Sequence, residues 1–124
     1  MTDKRPVNLD LTTISFPAPA IASILHRISG VVIFLALPVL LWLLHRSLAS
    51  EAEFEATRQL LDAPLMKLIL WGTLAALIYH LVAGIRHLLM DMGIGETLEG
   101  GRRGAFIVFA AAALLIVLAG VWIW

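Results

Sequence analysis

Cysteine is absent from the 124 residues, which excludes disulfides, thiolate metal ligands and cysteine nucleophiles, and says nothing more about compartment. Charge is also scarce: nine Lys and Arg balance nine Asp and Glu, so there is no net basic character of the kind that nucleic-acid binding requires. No P-loop, no glycine-rich nucleotide fingerprint and no internal repeat occurs, and no polar stretch is long enough to house a sizeable soluble domain. Polar stripes are missing too, and they are missing where they matter most. Three apolar runs, Ile28 to Leu44, Leu68 to Ile85 and Gly104 to Trp124, have no hydrophilic face to turn toward water.

What is present instead is hydrophobic length. A bilayer core takes about 20 helical residues, and these runs reach or approach that once flanking residues are added. A soluble chain this small would expose most of its surface and need more polar side chains to cover it. The expected fold class is therefore all-α: a membrane protein with three transmembrane helices. A cleaved secretory signal is not expected, because the first apolar run begins late, is too long and lacks a small-residue cleavage site.

The expected organisation is as follows. Residues 1–20, with Pro6, Pro17 and Pro19, form a cytoplasmic arm leading to the membrane interface, and Pro19 suits the opening turn of a helix. Residues 21–45 make the first span, kinked at Pro38. Residues 46–66 form a periplasmic connection, where Ser50 and Glu53 match a capping box for a short helix from about Glu51 to Leu61. Residues 67–92 make the second span, Gly93 and Gly95 end it, residues 93–103 form a cytoplasmic loop, and residues 104–124 make the third span. Lys4, Arg5, Arg27, Arg86, Arg102 and Arg103 would lie on one side, and Arg46, Arg58 and Lys67 on the other. That bias puts the N-terminus inside and the C-terminus outside. Three spans alone make a poor transporter, which usually needs repeated bundles around a midplane site.

His80 lies inside the second apolar run, about 9 Å of helix rise from Arg86 and about 20 Å from Lys67. Ionisable groups at such depth are rare and usually functional. Gly72, Ala76, His80 and Gly84 recur every four residues, a groove of small residues around one imidazole. That spacing serves close helix packing, and it equally lets a flat porphyrin approach the backbone, with neutral imidazole as an axial ligand to haem iron. A haem at His80 would bring its propionates within reach of His26, Arg27, Arg86 and His87. The competing reading is a histidine bonded to a neighbouring helix, with Arg86 and His87 snorkelling at the interface. By residue count no other histidine shares His80's depth, so a second axial histidine would have to come from another subunit.

The stretch "SILHRISG" sets Ser23, His26 and Arg27 at the inner end of the first span. Ser23 and Arg27 are four apart and share a helix face. A hydroxyl and a guanidinium there could hold the oxygens of a quinone and stabilise negative charge as it is reduced. Alternatively, the arginine anchors the helix and the serine bonds back to its own backbone. Trp42, Trp71, Trp122 and Trp124 suit interfacial belts, and Trp71 could equally line the bundle.

"RPVNLDL", "SILHRISG" and "YHLVAGIRHLLMD" in this order, followed by a third span after the Arg102–Arg103 pair, closely resemble the cytochrome b subunit of bacterial succinate dehydrogenase. The resemblance covers nearly the whole chain. It implies half of a heterodimeric anchor helix bundle, which holds a flavoprotein and an iron–sulfur subunit at the inner face of the bacterial cytoplasmic membrane. It implies His80 as this chain's axial ligand to a haem b shared with the sister anchor subunit. It places Ser23 and Arg27 at the ubiquinone site, and His26, Arg27 and His87 near the haem propionates. Succinate oxidation would occur on the flavoprotein, so the chain alone would be non-catalytic. Two alternatives remain at this level: a haem-containing anchor of a fumarate reductase or another respiratory complex, and a purely structural membrane subunit.

Overall fold

A computed structural model of the chain describes residues 15–124. Residues 1–14, which include Lys4, Arg5, Pro6 and "RPVNLDL", lie outside the described residues. Four helices follow: α1 (Ala18–Ser47), α2 (Glu51–Asp62), α3 (Pro64–Asp91) and α4 (Leu98–Ile123). Three of them, α1, α3 and α4, are long and apolar enough to cross a membrane. At 30, 28 and 26 residues, they outreach a hydrocarbon core of about 30 Å by several turns.

Local chemistry sets most of the boundaries. Prolines stand in the opening turns of α1 and α3, where the missing N–H removes nothing from the ladder. The Ser50 hydroxyl accepts from the Glu53 amide at 3.0 Å and starts α2. Arg46, over the Trp42 ring, pairs with Glu53 at 2.7 Å and ties the end of α1 to α2. α3 closes in a Schellman turn: the Gly93 amide donates to the Met90 carbonyl and the Ile94 amide to the Leu89 carbonyl, with Gly93 at φ +83°. α4 begins six residues before the expected third span. Thr97 accepts from the Gly100 amide at 3.0 Å, so "LEGGRR" is a capped first turn and a half rather than loop. α1 continues as helix through Pro38.

α3 packs against both α1 and α4, α1 also meets α4, and α2, which links the end of α1 to the start of α3, contacts both. The interior is made mostly of small side chains: Ala22, Ala83, Ala105, Val108 and Ala112 are buried together with Leu43, while many large apolar side chains are exposed. Such an arrangement would collapse in water. It is the pattern of membrane helices, which approach through small residues and have no hydrophobic drive between them. Side-chain to backbone bonds pin the approach. Tyr79 donates to the Ala22 carbonyl at 2.8 Å across α3 and α1. Trp71 donates to the Ile116 carbonyl at 2.8 Å across α3 and α4, beside Gly120, where a Cβ would come within 3.1 Å of the indole nitrogen. Trp71 thus lines the bundle.

Candidate functional site

Three of the four histidines gather where α1 and α3 cross. His26 comes from α1, and His80 and His87 come from α3, seven residues apart and so on nearly one face. The His26 and His80 rings are stacked, with centroids 4.1 Å apart and planes within 10°. His87 is tilted against His26, with ring centroids 5.1 Å apart. His45 stands apart in the last turn of α1.

One edge of His80 is held tightly. Its Nδ1 lies 3.0 Å from the Ser29 hydroxyl and 3.1 Å from the His26 carbonyl. Gly30 lets the ring sit this close: a Cβ there would be 3.1 Å from His80 Cε1. Gly84 lies beside His26, but a Cβ there would stand 3.6 Å from Nε2, an ordinary contact. His80 Nε2 has no hydrogen-bond partner among the described residues.

The stack changes one expectation. Counting along α3 set His80 deeper than His26 and His87, yet less than one helical turn (about 5.4 Å) separates the His26 and His80 rings. A residue count measures position along one helix and ignores how far α3 is shifted along α1. Proximity does not make the pair a bis-histidine clamp, however. The ring lone pairs lie in the ring planes, so two face-to-face rings cannot aim them at each other through one iron. Consistently, among the described residues no three His, Asp or Glu side chains converge on a point that could hold a free metal ion.

Arg86 also departs from expectation. It turns away from the histidines and donates to the Gly101 carbonyl of α4 at 3.1 Å, beside Gly104. The reason is helical phase: six residues from His80 is about 240° of rotation, which faces α4 instead of α1.

Ser23 is half-buried and Arg27 exposed near the start of α1. Neither side chain hydrogen-bonds to any described residue. That is informative for Ser23, because Ser29, Ser47, Thr57 and Thr73 each donate to the carbonyl three or four residues back. The back-bonded alternative for Ser23 is therefore not what the structure contains. Ser29 is the functional-site neighbour that sequence reasoning passed over. Ser29 stood inside "SILHRISG", but which of its two hydroxyls faces α3 depends on helix rotation.

Residues 1–119 match the family described as succinate dehydrogenase/fumarate reductase transmembrane subunit. The chain belongs to this family. It is 53% identical over its whole length to the whole succinate dehydrogenase cytochrome b556 subunit of Coxiella burnetii. It is 32% identical to the protein of that name from Paracoccus denitrificans, over 92% of this chain and 88% of the relative. Against the one from Rickettsia conorii it is 33% identical, over 94% and 90%. The chain is thus a membrane-anchor subunit of the succinate/fumarate dehydrogenase family, with a multi-pass helical fold.

Proposed function

We propose that this anchor subunit serves a succinate:quinone oxidoreductase in two ways: it supplies His80 as one axial ligand of a b-type haem, and Ser23 and Arg27 as part of the ubiquinone-reduction site. The observation that carries the haem assignment is the asymmetry of His80. Nδ1 is engaged on α1, and Nε2 has no partner among the described residues in an apolar span, where an unsatisfied imidazole nitrogen is costly. The residues fit the group. Gly30 lets the His80 ring lie close against the α1 backbone, and His26 and His87 gather beside it to meet acidic substituents. When bound, a b-type haem supplies a one-electron redox centre. His80 would ligate it, and His26, His87 and Arg27 would hold its propionates through hydrogen bonds and the Arg27 charge.

For the quinone, Ser23 offers a hydroxyl that no described residue occupies. Arg27, one turn on, provides a fixed cation near which negative charge builds on the quinone oxygens. The stacked geometry of His26 and His80 leaves the second axial ligand to a sister anchor subunit, and the broad apolar surface of α1, α3 and α4 provides faces for it and for lipid. The iron–sulfur and flavoprotein subunits then sit at the cytoplasmic ends, near Ser23 and Arg27, with the N-terminus cytoplasmic and the C-terminus periplasmic in a bacterial inner membrane. Arg27 and the Arg102–Arg103 pair support this orientation.

Replacing Arg27 by Leu in the assembled complex tests the quinone half. Ubiquinone reduction falls on the order of a hundredfold, while succinate oxidation with an artificial acceptor at the flavin survives. Equal loss of both, in a complex that retains all its subunits, would remove Arg27 from the quinone site. Haem content per complex tests the other half: one b-type haem is expected, and none in an intact complex would overturn it.

A further inference from the structure

The hydrogen atoms around His80 can be counted. Ser29 is 6% exposed and has a single hydroxyl hydrogen. Its oxygen stands 2.7 Å from the His26 carbonyl, which can only accept, so the hydroxyl donates there. His80 Nδ1 faces the same carbonyl at 3.1 Å and the Ser29 oxygen at 3.0 Å. A bare nitrogen in that position would press its lone pair against the carbonyl's. Nδ1 must therefore carry the hydrogen and share it between the two oxygens. In the neutral ring that leaves Nε2 as the lone-pair nitrogen.

We infer that Ser29 is a positioning residue for His80: with the His26 carbonyl it fixes the tautomer and ring orientation that present Nε2, and it strengthens the imidazole as a donor. The inference rests on the haem reading above and deepens it. Both oxygens come from one turn of α1 and the ring from α3, so the contact also sets the register of the two helices at the site. Gly30, next in sequence, allows the close approach. Ring N–H to oxygen bonds of this kind raise the basicity of a metal-bound imidazole, and their loss weakens metal binding by roughly ten- to a hundredfold.

The test is a redox titration and low-temperature EPR spectrum of the intact complex carrying Ser29→Ala, Ser29→Thr, Tyr79→Phe or His80→Leu. Ser29→Ala removes one of two acceptors and leaves the His26 carbonyl. The haem therefore remains ligated, but its midpoint potential rises, its low-spin g-values shift, and it transfers to a haem scavenger about tenfold faster. Ser29→Thr keeps the hydroxyl and restores the parental potential. Tyr79→Phe removes a different hydrogen bond from the same α1–α3 contact and leaves the potential unmoved, which separates positioning from general loosening. A potential and spectrum unchanged in Ser29→Ala overturns the inference, as does an equal shift in Tyr79→Phe. His80→Leu isolates the parent reading: low-spin haem retained there would refute the ligand assignment itself, whatever Ser29 does.

Discussion

At the scale of single residues, the site depends on two small groups as much as on the imidazoles. Gly30 is the sharper case. A Cβ would stand 3.1 Å from His80 Cε1 and 3.5 Å from Nδ1, and the ring cannot retreat without breaking its bonds to Ser29 and the His26 carbonyl. Gly30→Ala should therefore leave the complex assembled while distorting the haem's low-spin EPR signal, and an unaltered signal would mean the ring has more freedom than the geometry gives it. His87→Leu should act more mildly. Its ring packs against His26 at 5.1 Å, so the expected outcome is a shifted midpoint potential with the iron still ligated, checked by the same spectrum. His80 was legible in the sequence because a histidine in an apolar run stands out by cost alone, and His26 and His87 entered as candidates just beyond the ends of the runs. Their stacking was not. It depends on how α1 is rotated and shifted against α3, and no spacing within either helix encodes that.

At the scale of elements, short-range chemistry sets the boundaries and the sequence reveals it unevenly. Ser50 and Glu53 marked the start of α2 because capping is local and its residue types are few. Ser50→Ala should cost α2 about 1 kcal/mol, read as faster amide exchange in its first turn, with no change in haem. The start of α4 was harder to read, since two glycines and two arginines resemble a loop, and only the Thr97 cap and the continuing backbone ladder carry the helix back to Leu98. Gly93 sits in the left-handed region at φ +83°. A β-branched substitution such as Gly93→Val should destabilise the α3–α4 turn by about 1–2 kcal/mol, read as increased protease nicking there. Arg86 shows the limit of reading one element alone: its rotation relative to His80 was computable, but the α4 carbonyl that receives it was not.

For the molecule as a whole, three apolar helices without polar stripes made the membrane fold legible from composition, and the exposed leucines, valines and phenylalanines of the bundle agree. What composition does not reveal is which of those faces meet lipid and which meet another subunit, because both are apolar. Absence of cysteine gives a direct route to the topology. In membrane vesicles of known sidedness, Ser50→Cys should react with an impermeant maleimide from the periplasmic side and Glu96→Cys only from the cytoplasmic side. The reverse pattern would invert the orientation and move Ser23 and Arg27 away from the side where the electron-delivering subunits are expected.

The most direct test of the account is a dithionite-reduced minus oxidised optical spectrum of the complex purified through this chain, recorded beside that of His80→Leu. Sharp b-type bands in the parent, with flavin co-purifying, and their loss or conversion to a high-spin form in the variant, are what the account predicts. Low-spin bands that persist undiminished without His80, or an intact flavin-containing complex with no bands at all, would contradict it.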